Sequence, residues 1–125
     1  MAATDKLDLK RKDLVQTAEK VIQTAFSSGR KLDLKKTQLS HLIGICGEAS
    51  CAEEIENYLR YQAGRGPDKT GWDMALAKQV ITSLSPIVDG LSDAMKLEAW
   101  RLYAVYKTRA FTYEYACAKP QGQSR

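Results

Sequence analysis

Histidine is nearly missing from this sequence: among 125 residues only His41 is one. No acid stands three or four residues from it, so neither a nucleophile–histidine pair nor a two-histidine metal helix can be drawn from local spacing. His41 is read instead as a surface or interface residue. Cysteine is equally uninformative for chemistry. Cys46, Cys51 and Cys117 are odd in number and lack the regular spacing of a secreted disulfide framework, which leaves them as buried thiols in a reducing compartment. A zinc site from His41 and the three cysteines is rejected, because no Cys-x-x-Cys occurs and His41 and Cys46 diverge on a helix. No apolar run approaches the roughly 18 residues that cross a bilayer. The first twelve residues alternate charges without the apolar stretch of a signal peptide. A cytoplasmic protein with no metal, no cofactor and no membrane partner is expected. Period-two alternation is absent too, and with it any expectation of strands.

What is there is helical. Apolar residues make up 44% of the chain and charged residues 27%, the balance of an ordinary globular protein of one domain. Leu14, Ala18, Val21, Ile22 and Ala25 recur at helical spacing and predict a first helix over about 8–27, stopped by Ser28-Gly29. Leu39, Leu42, Ile43 and Cys46 predict a second, with Thr37 or Asp33 as cap and Gly47 as stop. Ser50-Cys51-Ala52-Glu53 reads as a capping box that opens a third, with Ala52, Ile55, Leu59 and Gln62 plus Tyr58 facing inward. Gly64-Arg65-Gly66-Pro67 ends it, and 68–71 is expected to be a loop. Trp72, Ala75, Leu76, Val80 and Leu84 give a fourth helix that Ser85-Pro86 ends or kinks. Ser92-Asp93 caps the longest, which carries Leu97, Trp100, Ala104 and Phe111 on one face. The expected fold is all-α, a compact bundle of about five helices over 1–119 with a polar tail, 120–125.

Net charge is +4, and its distribution says more than its sum. Residues 1–36 hold nine Lys or Arg against five acids, 37–65 two against four, and 66–125 eight against six. Basic ends flank an acidic middle, an arrangement suited to one polyanion-facing surface and another for protein partners. Glu53, Glu54 and Glu56 lie in a first helical turn, where carboxylates favour the positive end of the dipole, and need no catalytic reading. The Gly64–Pro67 turn lacks the Lys-Ser/Thr of a phosphate-binding loop and follows a helix rather than a strand. It nonetheless sets Arg65 beside unobstructed backbone, with Arg60 upstream and Lys69 downstream, which makes a phosphate-contact site. Arg30, Lys31, Lys35 and Lys36 flank the start of the second helix and read equally as phosphate contacts or as a solvated linker. Arg101, Lys107 and Arg109 form a third basic set on the aromatic-rich last helix. Aromatics there serve core and protein interface more often than base stacking.

Tyr58-Leu59-Arg60-Tyr61-Gln62-Ala63-Gly64-Arg65 resembles the signature of the small subunit of type III-A (Csm) CRISPR effector complexes, where a helix ends in Tyr-Gln-Ala-Gly-Arg. Leu34-Lys35-Lys36-Thr37-Gln38-Leu39 with Leu42-Ile43 is similar to the family's basic start of a helix, and Ala18 to Ile22 to its opening helix. Gln38 and Ser40 stand where the family usually has Lys and Arg, with Lys35, Lys36 and His41 nearby, so phosphate contact there is expected to be displaced. The resemblance implies a non-catalytic helical subunit that lies in several copies along the CRISPR RNA–target RNA duplex, beside the backbone and large subunits. RNA-binding residues are then expected at Arg65, Arg60, Lys35, Lys36, Lys69, Arg101, Lys107 and Arg109. The competing expectation is a helical scaffold that binds only protein partners.

Overall fold

The computed structural model describes residues 3–27 and 35–118, and every regular element in them is a helix. The expected tail at 120–125, the cap at Asp33 and the basic pair Arg30 and Lys31 lie outside the described residues. The described residues form seven helices: α1 (Ala3–Asp8), α2 (Arg11–Ser27), α3 (Lys36–Glu48), α4 (Ala52–Arg65), α5 (Pro67–Thr70), α6 (Met74–Val88) and α7 (Asp93–Ala118). The five longer ones are the expected bundle, and α1 and α5 are short additions.

The stripe predicted for α2 is its buried face: Leu14, Ala18, Val21, Ile22 and Ala25 are all inside. The helix starts at Arg11 rather than near residue 8. Lys10 N–H instead bonds Leu7 O at 2.9 Å, and Arg11 Nε reaches back to Asp8 at 2.9 Å. Gly47 does not stop α3, which runs on to Glu48. The α4 cap also falls one residue late, at Cys51, and Glu54 rather than Glu53 bonds back to the Ser50 N–H. The 68–71 loop is mostly the single-turn α5, for which Pro67 supplies a preset first position and Gly66 and Gly71 the positive φ of 100° and 79°. Asp73 caps α6 by accepting from Leu76 N–H at 2.7 Å. Pro86 does not end α6. The helix continues to Val88 because Ile87 and Val88 are packed against the core.

Helix α7 is the axis. At 26 residues it spans roughly 39 Å and packs against α1, α2, α3, α4 and α6. A helix contacted on so many sides carries apolar residues round most of its circumference. Trp100, Tyr103, Ala104, Ala110 and Phe111 are buried there, with Phe26 of α2 tilted against Phe111 at 5.3 Å between ring centroids. The buried apolar side chains form one cluster from Leu7 to Phe111. Among the described residues no helix is long and apolar enough to cross a membrane.

Candidate nucleic-acid interface

The end of α4 and the start of α3 both lean on the bundle near α5, and a groove of about 200 Å³ opens between them. Gln38 and His41 line it from α3, Tyr58, Gln62 and Arg65 from α4, and Lys69 from α5. The α4 residues share this flank because 58, 62 and 65 are four and three apart, one helical turn each time. Ala63 and Leu59 turn the other way, into the core. Thr70 fixes the corner: its hydroxyl lies 2.9 Å from Gln62 O and 3.1 Å from Gly66 O, and it accepts the Trp72 N–H at 3.1 Å. One buried side chain thereby serves the Gln62 carbonyl at the end of α4, while Gly66 O already accepts the Thr70 N–H at 3.1 Å.

The polar groups facing this groove are nearly all donors. The amide oxygens are already engaged, Gln38 Oε1 by Lys35 N–H at 2.9 Å and Gln62 Oε1 by Arg65 Nη1 at 3.3 Å. That leaves the two amide NH₂ groups, the remaining guanidinium N–H bonds of Arg65 and the Lys69 ammonium. No Asp or Glu lines the groove. Trp72 lines its inner wall, fully buried, and Trp72 Nε1–H has no partner among the described residues. A wall of donors with two cations and no acid attracts an oxyanion. Small-molecule pockets occupy roughly 300–1,000 Å³, so this smaller groove suits a phosphate better than a cofactor. Among the described residues no three His, Cys, Asp or Glu side chains come together as a metal site.

The structure sorts the eight sequence-predicted cations. Arg65 and Lys69 line the groove, and Lys35 and Lys36 are exposed at the start of α3, one turn before Gln38 and His41. Arg60 is exposed on the opposite flank of α4, paired with Glu56 at 3.5 Å. Such an exposed pair contributes only about 0.2–1 kcal/mol and releases its arginine easily. Arg109 is exposed in a separate groove between α2 and α7 that also carries Glu19 and Glu114. Arg101 is half-exposed but engaged by the fold itself. Its Nε donates to Cys46 O at 2.9 Å, its Nη2 to Gly47 O at 3.5 Å, and its Nη1 meets Glu98 at 3.3 Å.

Lys107 is a correction. It is fully buried, so it has no surface to offer RNA. Its Nζ lies 4.2 Å from the Tyr103 ring centroid and 5.5 Å from that of Trp100, with no hydrogen-bond partner among the described residues. Burial pushes its ammonium down to about 7, and the Cys46 thiolate, if formed, would push it back up. Cation–π contact returns about 2 kcal/mol, whereas burying an ion costs several, so desolvation wins.

Sequence reasoning missed Gln62 and Trp72 as groove residues, and its reading of His41 as a surface or interface residue agrees with the exposed position of that side chain beside the groove. Gln62 was assigned to the inward stripe because 55, 59 and 62 share a helical face, but Ala63 takes the core position. No protein-family model, curated protein or solved structure matches the chain.

Proposed function

We propose that this chain is a non-catalytic, cytoplasmic small subunit of a type III-A CRISPR effector complex that holds the guide–target RNA by its backbone. The donor-rich groove carries this reading. Guanidinium, ammonium and amide N–H groups favour phosphate oxygens, and contacts to the phosphate backbone hold RNA without reading its sequence. Base pairing between CRISPR RNA and target RNA then supplies specificity, and the backbone and large subunits supply the chemistry. The resemblance of Tyr58 to Arg65 to the family signature falls on the helix that builds the groove.

Arg65→Ala in the assembled complex is expected to weaken target-RNA binding by a similar factor for every target sequence. It should also reduce the slope of log K against log salt by about one. Unchanged binding would remove the assignment. A second reading, a scaffold that binds protein alone, draws on Leu9, Tyr113 and Tyr115, which are exposed in the turn after α1 and near the end of α7, outside this groove. Crosslinking decides between them: a scaffold assembles with other subunits, including further copies of itself, yet yields no RNA adduct.

A further inference from the structure

Helix α4 contains a glycine that the fold does not require. Gly64 is exposed in the last turn of α4, and its φ is not positive, unlike those of Gly66, Gly71 and Gly90. A Cβ added there meets nothing within 4 Å. Neither backbone geometry nor close packing therefore explains it, while a glycine inside a helix costs about 0.5–1 kcal/mol relative to alanine. A side chain at 64 would lean toward the helix N-terminus, into the space between Arg60 and Tyr61. Gly64 keeps that space bare.

Its surroundings have a definite chemistry. Tyr61, three residues back, is 62% exposed, with the Arg65 guanidinium 5.7 Å from its ring centroid. Arg60, four residues back, flanks the other side and has only the exposed pair with Glu56. The crest of α4 thus presents an aromatic ring, a strip of backbone without side chain, and a cation on either side. Single-stranded nucleic acid is held by this combination, since bases stack on an aromatic ring while their phosphates meet cations.

We propose that an unpaired base of the bound RNA lies over Gly64 against the Tyr61 ring, its flanking phosphates meeting Arg60 on one side and Arg65 on the other. The proposal rests on the RNA-binding reading and narrows its ligand: the chain prefers RNA carrying an unpaired nucleotide to a perfect duplex.

The test uses the full chain and two RNA probes, a perfect duplex and the same duplex with one bulged 2-aminopurine. The bulged probe is expected to bind roughly fivefold tighter or more, with its 2-aminopurine emission quenched on binding. Tyr61→Phe should keep both effects. Tyr61→Leu and Gly64→Gln should abolish the preference and the quenching, yet bind perfect duplex as the unaltered chain does. Gly64→Gln should also melt at a higher temperature, which removes misfolding as an explanation for its loss. Equal affinity for the two probes without quenching overturns the proposal, and if Arg65→Ala still weakens both, the RNA-binding reading stands alone. Failure to bind either probe at low salt overturns both.

Discussion

Lys107 shows how one residue departs from the rule that charge stays in water. Its side chain sits between Trp100 and Tyr103 with no acid to pair with, and burial lowers it from 10.5 to about 7. Between those values the unfolded chain binds one proton more than the folded one, so stability rises with pH. Below about 7 both forms are protonated and the destabilisation is complete. Burial raises Cys46 from 9.0 to about 11, which makes stability fall with pH above 9 and offsets the lysine there. Tyr103, raised to about 12 despite its bond to Ser83, acts in the same sense above 10. The net rise is therefore confined to about pH 7–9. Lys107→Met, similar in length and apolar, is expected to stabilise the chain at pH 7 by on the order of 1–4 kcal/mol. Urea melts at pH 7 and 9 should show a rising midpoint for the unaltered chain and a flat one for the variant.

The Lys107 burial was legible in part from spacing. Residues 100, 104, 107 and 111 fall at i, i+4, i+7 and i+11, so Lys107 belongs to the stripe of Trp100, Ala104 and Phe111. On a helix with an exposed flank, a lysine at such a position keeps its ammonium in water. What periodicity cannot report is how many neighbours a helix has, and α7 has five.

At the scale of elements, helix ends explain most differences between expectation and structure. Gly47 looks like a stop, yet Arg101 reaches across from α7 to the Cys46 and Gly47 carbonyls and satisfies the last turn of α3 from outside. A partner 55 residues away along the chain leaves no mark in the local sequence. Arg101→Ala is expected to destabilise the fold by about 1–3 kcal/mol, the loss of charge-assisted bonds to the part-buried Cys46 carbonyl and the Gly47 carbonyl. Thermal unfolding should report this, and Arg101→Lys should recover only part of it, since an ammonium lacks the planar fork. If Arg101→Ala melts with the unaltered chain, the cap is idle. Helix α4 shows the opposite case, where local rules suffice: Glu53 and Glu54 stand in its first turn and Arg65 in its last, as the helix dipole favours. Its acidic and basic ends are separated by roughly 18 Å, which keeps carboxylates out of the groove.

Over the whole molecule, α7 ties the other long helices into one apolar cluster. Trp100 sits at its centre and Trp72 at the groove, both fully buried. Unfolding in urea is expected to give coincident curves by tryptophan fluorescence and far-ultraviolet circular dichroism, the signature of one cooperative unit. A fluorescence change that precedes loss of helix would show that the groove end opens separately.

The sequence by itself determined the helical class, the core stripe of α2, and the run of α4 that carries Arg65, because period and turn chemistry act within a few residues. Tertiary structure decided which cations meet. Arg65 and Lys69 share a groove, Arg109 faces acids across another, Arg101 caps α3 and Lys107 lies inside. Those outcomes depend on how helices far apart in sequence pack around α7. The amide oxygens of Gln38 and Gln62 are engaged locally, each by a donor three residues away, but packing decides that Gln38 of α3 lines one groove with Gln62 and Arg65 of α4.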